Sequence, residues 1–287
     1  MSEASVIHDI GYQRYAGPRL GRHHVIGAMY VHGLRAAFGL GRTAKAKIFP
    51  WLAVGIVSLV AVILAAVRSQ TGIVALNYVE FADSVSWLVI FFVAIVGPEL
   101  LSRDLRSGVL PLYFSRPLRA GDYVTAKFAA LASAVWLLLG GPQLIMFLGA
   151  AFTTKDGMSG VWKEISDVVP ALGYSALWAV VFASIGLLVA STTGKRAFAA
   201  GGIVAVFLMT TPVVGVLSIL PSRVAQQLAG LASPMSLISG VGTWLIPGGR
   251  SGFPVGPYGA VYGIEAATLI AACVLLLLAR YRKVAAR

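Results

Sequence analysis

Six apolar runs constrain this chain more than any other feature: Phe49–Val67, Phe81–Val96, Phe128–Phe152, Val168–Ala190, Ala197–Leu220 and Tyr258–Ala279. A helix rises about 1.5 Å per residue, so a run near twenty residues matches the roughly 30 Å hydrocarbon core of a bilayer. Inside lipid the backbone polar groups must pair within the segment or within a closed sheet, which leaves helices or a barrel. A barrel needs short segments of alternating polarity, and none is present. The expected fold class is therefore an all-α polytopic membrane protein with six transmembrane helices. Composition agrees: 58% of the 287 residues are hydrophobic and 12% charged, about half the charge of an ordinary soluble domain. The single cysteine, Cys273, sits in an apolar run and excludes a disulfide framework.

Prolines set further expectations. Pro50 and Pro170 suit the first turns of the first and fourth spans, where no backbone N–H is needed. Gly140-Gly141-Pro142 predicts a kink in the third span, and Thr210-Thr211-Pro212 an interruption of the fifth.

The net charge of +12 is distributed along the flanks of the runs rather than in a compact basic domain, which argues against nucleic-acid binding and for membrane orientation. With the N-terminus inside, 18 of the 23 Lys and Arg residues fall on the cytoplasmic side and five outside. Both termini are then cytoplasmic. Residues 1–48 are expected to form a cytoplasmic segment and not a cleaved signal, because the first long apolar run begins only at Phe49. Within it, His24–Phe38 mixes apolar residues with His32 and Arg35 and suits a helix lying at the membrane surface. Arg42, Lys45 and Lys47 follow as headgroup anchors. Residues 49–279 are expected to form a six-helix transmembrane domain, and 280–287 a basic cytoplasmic tail. The external stretch 221–257 is long and oddly apolar, yet Pro234, Gly240 and Gly242 oppose a spanning helix. It is expected to fold back as a re-entrant segment between spans five and six. Gly248, Gly252 and Gly256, then Gly259 and Gly263, offer small-residue spacing for helix contact near the sixth span, with glycine-rich turns the plainer reading for most of them.

The 97–127 loop, GPELLSRDLRSGVLPLYFSRPLRAGDYVTAK, carries eight of the chain's Asp, Glu, Lys and Arg residues. Glu99, Arg103 and Arg106 recur at helical spacing, predicting a short helix with these residues and Ser102 on one face, and Leu101 and Leu105 turned away. Glu99 precedes Arg103 by four, the favourable order for an ion pair. Asp122 is expected to cap the following helix. A solvated connector is the plainer reading of such a charge run. The ordered set Glu99, Asp104, Gly108, Arg116-Pro117, Arg119, Tyr123 and Lys127, however, resembles the first cytoplasmic loop of ABC-2 type transporter permeases. That resemblance implies a coupling helix that docks on a separate cytosolic ABC ATPase subunit, with ATP and Mg held by that partner and no cofactor on this chain. It also implies a second permease copy or homologue. Glu99, Asp104, Gly108, Arg116 and Arg119 are the coupling residues it marks, and Arg103 and Arg106 join them by their helical spacing from Glu99.

No catalytic or nucleotide-binding motif appears. Thr193-Gly194-Lys195 echoes a phosphate loop only faintly, lacking its first glycine, its Ser/Thr and a preceding strand. His23, His24 and His32 lack a cysteine or paired carboxylate to complete a metal site. An ion-coupled transporter keeps an ionisable relay in its spans, and only Glu265 comes near that description, with an interfacial position as its simpler explanation. Energy is then expected from a partner ATPase. Gln143, Ser184, Thr210 and Thr211 are the polar candidates for a substrate path, each equally a helix-packing hydrogen bonder. The function expected is export of a hydrophobic or amphipathic substrate across the cytoplasmic membrane. A non-transporting membrane scaffold and a membrane-embedded enzyme are the alternatives.

Overall fold

The computed structural model describes residues 17, 20–108, 110, 113, 118–246 and 254–285. Among them the regular structure is helical: α1 (Arg22–Ala37), α2 (Ala44–Thr71), α3 (Tyr78–Ser84), α4 (Ser86–Leu100), α5 (Ser102–Ser107), α6 (Ala120–Thr153), α7 (Gly157–Ser191), α8 (Arg196–Ser218), α9 (Arg223–Leu228), α10 (Pro234–Leu245) and α11 (Gly259–Ala285). Five of these, α2, α6, α7, α8 and α11, are singly long and apolar enough to cross a membrane. Two further pairs reach that length only together, α3 with α4–α5 across a 53° bend, and α9 with α10 across 118°. The chain is a multi-pass helical membrane protein.

Burial ranks the helices. In their most apolar windows α7 is 61% buried and α6 50%, against 22% for α2 and α11 and 17% for α8. The α6–α7 pair is thus the axis of the bundle, with α2 and α1 against α6, α4 between α7 and α8, and α11 closing over α7. Lipid is as apolar as leucine, so burial of hydrocarbon alone does not hold such helices together; close packing and interhelical hydrogen bonds do. Both are found. A Cβ on Gly140 would stand 3.1 Å from Leu172, and one on Gly33 of α1 2.8 Å from Ala130. Gln143 of α6 accepts from the Ser175 hydroxyl of α7 at 3.0 Å and donates to the Tyr78 carbonyl at 2.8 Å. Trp136 Nε1 donates to the Leu172 carbonyl at 3.1 Å. On α7, Tyr174, Trp178 and Phe182 recur every fourth residue and stack as an aromatic column that ends on Phe207 of α8, 4.2 Å away.

Several expected boundaries are corrected. Pro50 lies six residues inside α2 and Pro170 lies thirteen inside α7, so neither opens its helix. α8 runs without a break through Pro212, where an interruption was expected, and α6 is a single helix that carries Pro142 inside it. A helix among protein and lipid survives the loss of one N–H, since no water competes for the remaining groups. Position 39 is held to glycine by α2: with φ 68° it passes so close that a Cβ would sit 2.6 Å from the Ala46 carbonyl oxygen, the one Pro50 leaves without its i+4 donor. The stretch expected as a second span, Phe81–Val96, is bent at Val85, and its helical course begins at Tyr78. There Asn77 and Glu80 cap one another's backbone N–H groups at 2.8 and 2.9 Å. Residues 280–285, expected as a tail, continue α11.

The bundle has two ends. α3–α4 runs its full height, from Tyr78, which bonds Glu164, to Glu99, which meets Arg42 and Arg196. α9 and α10 fold back at the Glu164 end. There Tyr262 of α11 lies against Gly240 and donates to the Gln227 carbonyl at 2.7 Å, and the Trp244 ring lies on Gly259 and Gly263. The small-residue spacing of α11 therefore receives an aromatic side chain rather than a second backbone; Gly248 and Gly252 lie outside the described residues.

Candidate functional site

At the other end, Glu99 is a hub. Its side chain is only 8% exposed and meets three guanidinium groups: Arg42 at 2.7 Å, Arg103 at 3.1 Å and Arg196 at 3.2 Å. These come from the α1–α2 turn, α5 and the start of α8, so one carboxylate ties three elements to the end of α4. The expected ion pair with Arg103 is present, but Glu99 faces inward and is not part of an exposed charged face.

α5 separates from α4 at Leu101 and ends at Gly108, whose φ of 65° suits glycine. Its inner face is fastened at every turn. Leu101 is buried and Leu105 packs on the core, as the spacing predicted. Ser102, expected beside the exposed charges, is instead buried and donates to the Ala190 carbonyl of α7 at 2.7 Å. Ser102 tolerates burial because that carbonyl satisfies its hydroxyl. Asp104 accepts from Tyr123 at 2.8 Å and pairs with Lys127 at 2.8 Å, both on α6. Tyr123 in turn lies 5.0 Å from the Tyr281 ring of α11. Arg103 and Arg106 remain on the outer face, with Gly194 of the α7–α8 turn beneath Arg106. Arg119 is exposed at the N-cap of α6, and Arg116 lies outside the described residues. Asp122 sits at the third position of α6 and not at its cap; it accepts from the Arg119 N–H at 2.9 Å and holds Arg22 of α1 through two bonds.

The substrate-path candidates are not brought together. Gln143 is fully buried and bonded on both sides; Ser184 is buried and bonds back to Val181; Thr211 bonds to the Phe207 carbonyl. Thr210 bonds its own helix and reaches Ser233, 3.2 Å away, ahead of α10. None of the four lines a cavity of about 500 Å³ at the Glu164 end between α2, α3, α7 and α10. That cavity has apolar walls from Leu64, Val79, Met146 and Leu245, and a charged wall in which Arg68 forms a two-pronged pair with Glu164 while Tyr78 donates to the same carboxylate at 2.7 Å.

Sequence reasoning missed this triad, whose partners stand far apart in the chain. It also overlooked Asp83, which lies inside the second apolar run and accepts from Tyr174 at 2.5 Å. Glu265 is therefore not the sole acid within the runs; it is exposed on α11. The signal for Asp83 was present, an acid amid apolar residues, and its explanation is a hydrogen-bond partner on α7.

Fold and site together define a class, a polytopic helical membrane protein with a short, firmly seated charged helix at one end and an amphipathic cavity at the other. Comparison with family models and with curated proteins gives no match for this chain.

Proposed function

We propose that this chain is the permease subunit of an ATP-driven exporter of the ABC-2 type, moving a hydrophobic or amphipathic substrate and powered by a separate ATPase subunit docked on α5. The observation that carries this reading is the seating of α5. Its outward arginines are available to a partner, while its inner side is bonded to α6 through Asp104 and to α7 through Ser102. Glu99, just before it, reaches α8 through Arg196. A push on α5 is thereby delivered to three long helices at once, which a loose connector would not do.

In this reading the protein lies in the cytoplasmic membrane with both termini inside. It has six spans, α3–α5 counting as the second, and α9–α10 forms an external re-entrant segment. The long traverse of α3–α4 supports the count, and the positive-charge asymmetry supports the orientation. A second permease copy or homologue completes the pathway, ATP and Mg stay on the ATPase subunits, and the 500 Å³ cavity suits an amphipathic molecule better than the scattered polar residues do.

The test uses the tagged full-length chain isolated from its own membranes. Mg-ATP hydrolysis is expected to co-purify, while the chain stripped of partners binds no nucleotide. Arg106→Glu is expected to reach the membrane in normal amount and lose the hydrolysis. Retention of full ATPase association by that variant, or tight ATP binding by the isolated chain, overturns the proposal.

A further inference from the structure

We propose that the pocket between α1, α2, α4 and α8 binds the phosphate headgroup of an anionic phospholipid. The pocket encloses about 250 Å³ and is lined by Arg42, Lys45 and Arg196, with Glu99 the only acid in its wall. One carboxylate with two oxygens faces three guanidinium groups, those of Arg42, Arg103 and Arg196. Of these, Arg42 and Arg196 line the pocket while Arg103 stands outside it on the exposed face. Each guanidinium carries five N–H donors and keeps its charge, so Glu99 leaves most of the donors of Arg42 and Arg196 and at least one of their two charges unmatched. Lys45 adds a further cation.

No neighbouring acid among the described residues makes up the difference. Among the described residues this end of the bundle holds three carboxylates: Glu99 in the hub, Asp104 paired with Lys127, and Asp122 paired with Arg22. A phosphate oxygen pair matches the planar fork of arginine and carries the missing charge.

The remaining wall chooses between a free phosphate and a lipid. Ala36, Ala37, Pro50, Ile95 and Val96 make it apolar. Beside Pro50, α2 exposes Ile48, Trp51 and Leu52, at 64%, 51% and 55%. A headgroup held by the arginines then has acyl-chain surface next to it on a helix that faces lipid. A zwitterionic headgroup brings its own ammonium into the cationic pocket and is disfavoured. The site joins the α1–α2 turn to α4 and α8 and therefore braces the Glu99 hub.

This inference is independent of the ATPase partnership, and its test uses the purified chain alone. The full-length protein is delipidated in detergent, and phosphatidylglycerol, phosphatidylcholine and inorganic phosphate are added in separate arms. Bound lipid is counted by native mass spectrometry, and melting is followed in parallel. Phosphatidylglycerol is expected to be retained and to raise Tm, the other two not. The double variant Lys45→Gln/Arg196→Gln is expected to weaken phosphatidylglycerol retention about tenfold or more. Lys155→Gln, at the opposite end, leaves it unchanged. Lys45→Gln alone touches no Glu99 pair and gives a smaller loss in the same direction, which separates binding from folding. Equal retention of phosphatidylcholine, equal stabilisation by inorganic phosphate, or undiminished phosphatidylglycerol binding by well-folded Lys45→Gln/Arg196→Gln overturns the proposal.

Discussion

Glu164 is the residue on which the far end of the bundle depends. Its side chain is 9% exposed and its partner Arg68 is 29% exposed, so the pair is shielded on the acid's side and partly wet on the base's. Removing the carboxylate charge leaves the guanidinium beside a neutral group and the Tyr78 hydroxyl with a weaker acceptor. Glu164→Gln is expected to destabilise by about 1–3 kcal/mol, reduced from the full cost of breaking a buried pair by the exposure of Arg68. Tyr78→Phe removes one hydrogen bond to a charged group and should cost roughly 1–2 kcal/mol. Thermal melting in detergent checks both. An unchanged melt for Glu164→Gln would mean that the pair behaves like an ordinary surface ion pair.

Among the elements, α5 and α11 make the sharpest predictions. Reversing Arg103 puts a second carboxylate beside Glu99, whereas reversing Arg106 changes only the exposed face. Arg103→Glu should therefore lower stability as well as partner binding, and Arg106→Glu partner binding alone; equal melting of the two variants would refute the hub. Like charges across a docking face cost on the order of several kcal/mol, enough to abolish association. On α11, a methyl at Gly259 would stand 2.8 Å from Cβ of Trp244 and closer still to its Cγ and Cδ1, at the root of that side chain, although Trp244 as a whole is 45% exposed. Gly259→Ala is expected to destabilise by about 1–3 kcal/mol. Gly141 is the contrast: a Cβ there meets nothing within 4 Å, and Gly141→Ala should be neutral or stabilising by up to about 1 kcal/mol through helix propensity. Melting both variants side by side tests whether contact, rather than glycine content, holds α10 on α11.

For the molecule as a whole, the two ends of the bundle must lie on opposite sides of the membrane. In a Cys273→Ser background, a cysteine at Ser159, exposed at the Glu164 end, should react with an impermeant reagent added outside intact cells. A cysteine at Arg106, exposed at the Glu99 end, should react only after permeabilisation. The reverse pattern inverts the orientation and removes α5 from the cytosol, and the ATPase proposal with it.

The apolar runs by themselves determined the class of fold and the place of every long helix, because a transfer free energy is a local sum over about twenty residues. The helical spacing likewise set Leu101 and Leu105 on the buried side, but it set Ser102 and Glu99 on the exposed one, and there the packing decided otherwise. Helix ends escaped that reading. Pro50, Pro142, Pro170 and Pro212 are breakers in water but are carried within continuous helices here, and the environment that permits this is tertiary. The tertiary structure alone decided the partners of the charges. Arg68 finds Glu164 across 96 positions and Tyr174 finds Asp83 across 91, and no periodicity encodes pairings at such separations. Glu99 shows the division within one residue. Its spacing to Arg103 announced a helix pair, while its burial among Arg42, Arg103 and Arg196 follows from three elements meeting in space. A carboxylate with low exposure gathers whatever cations the packing brings within reach.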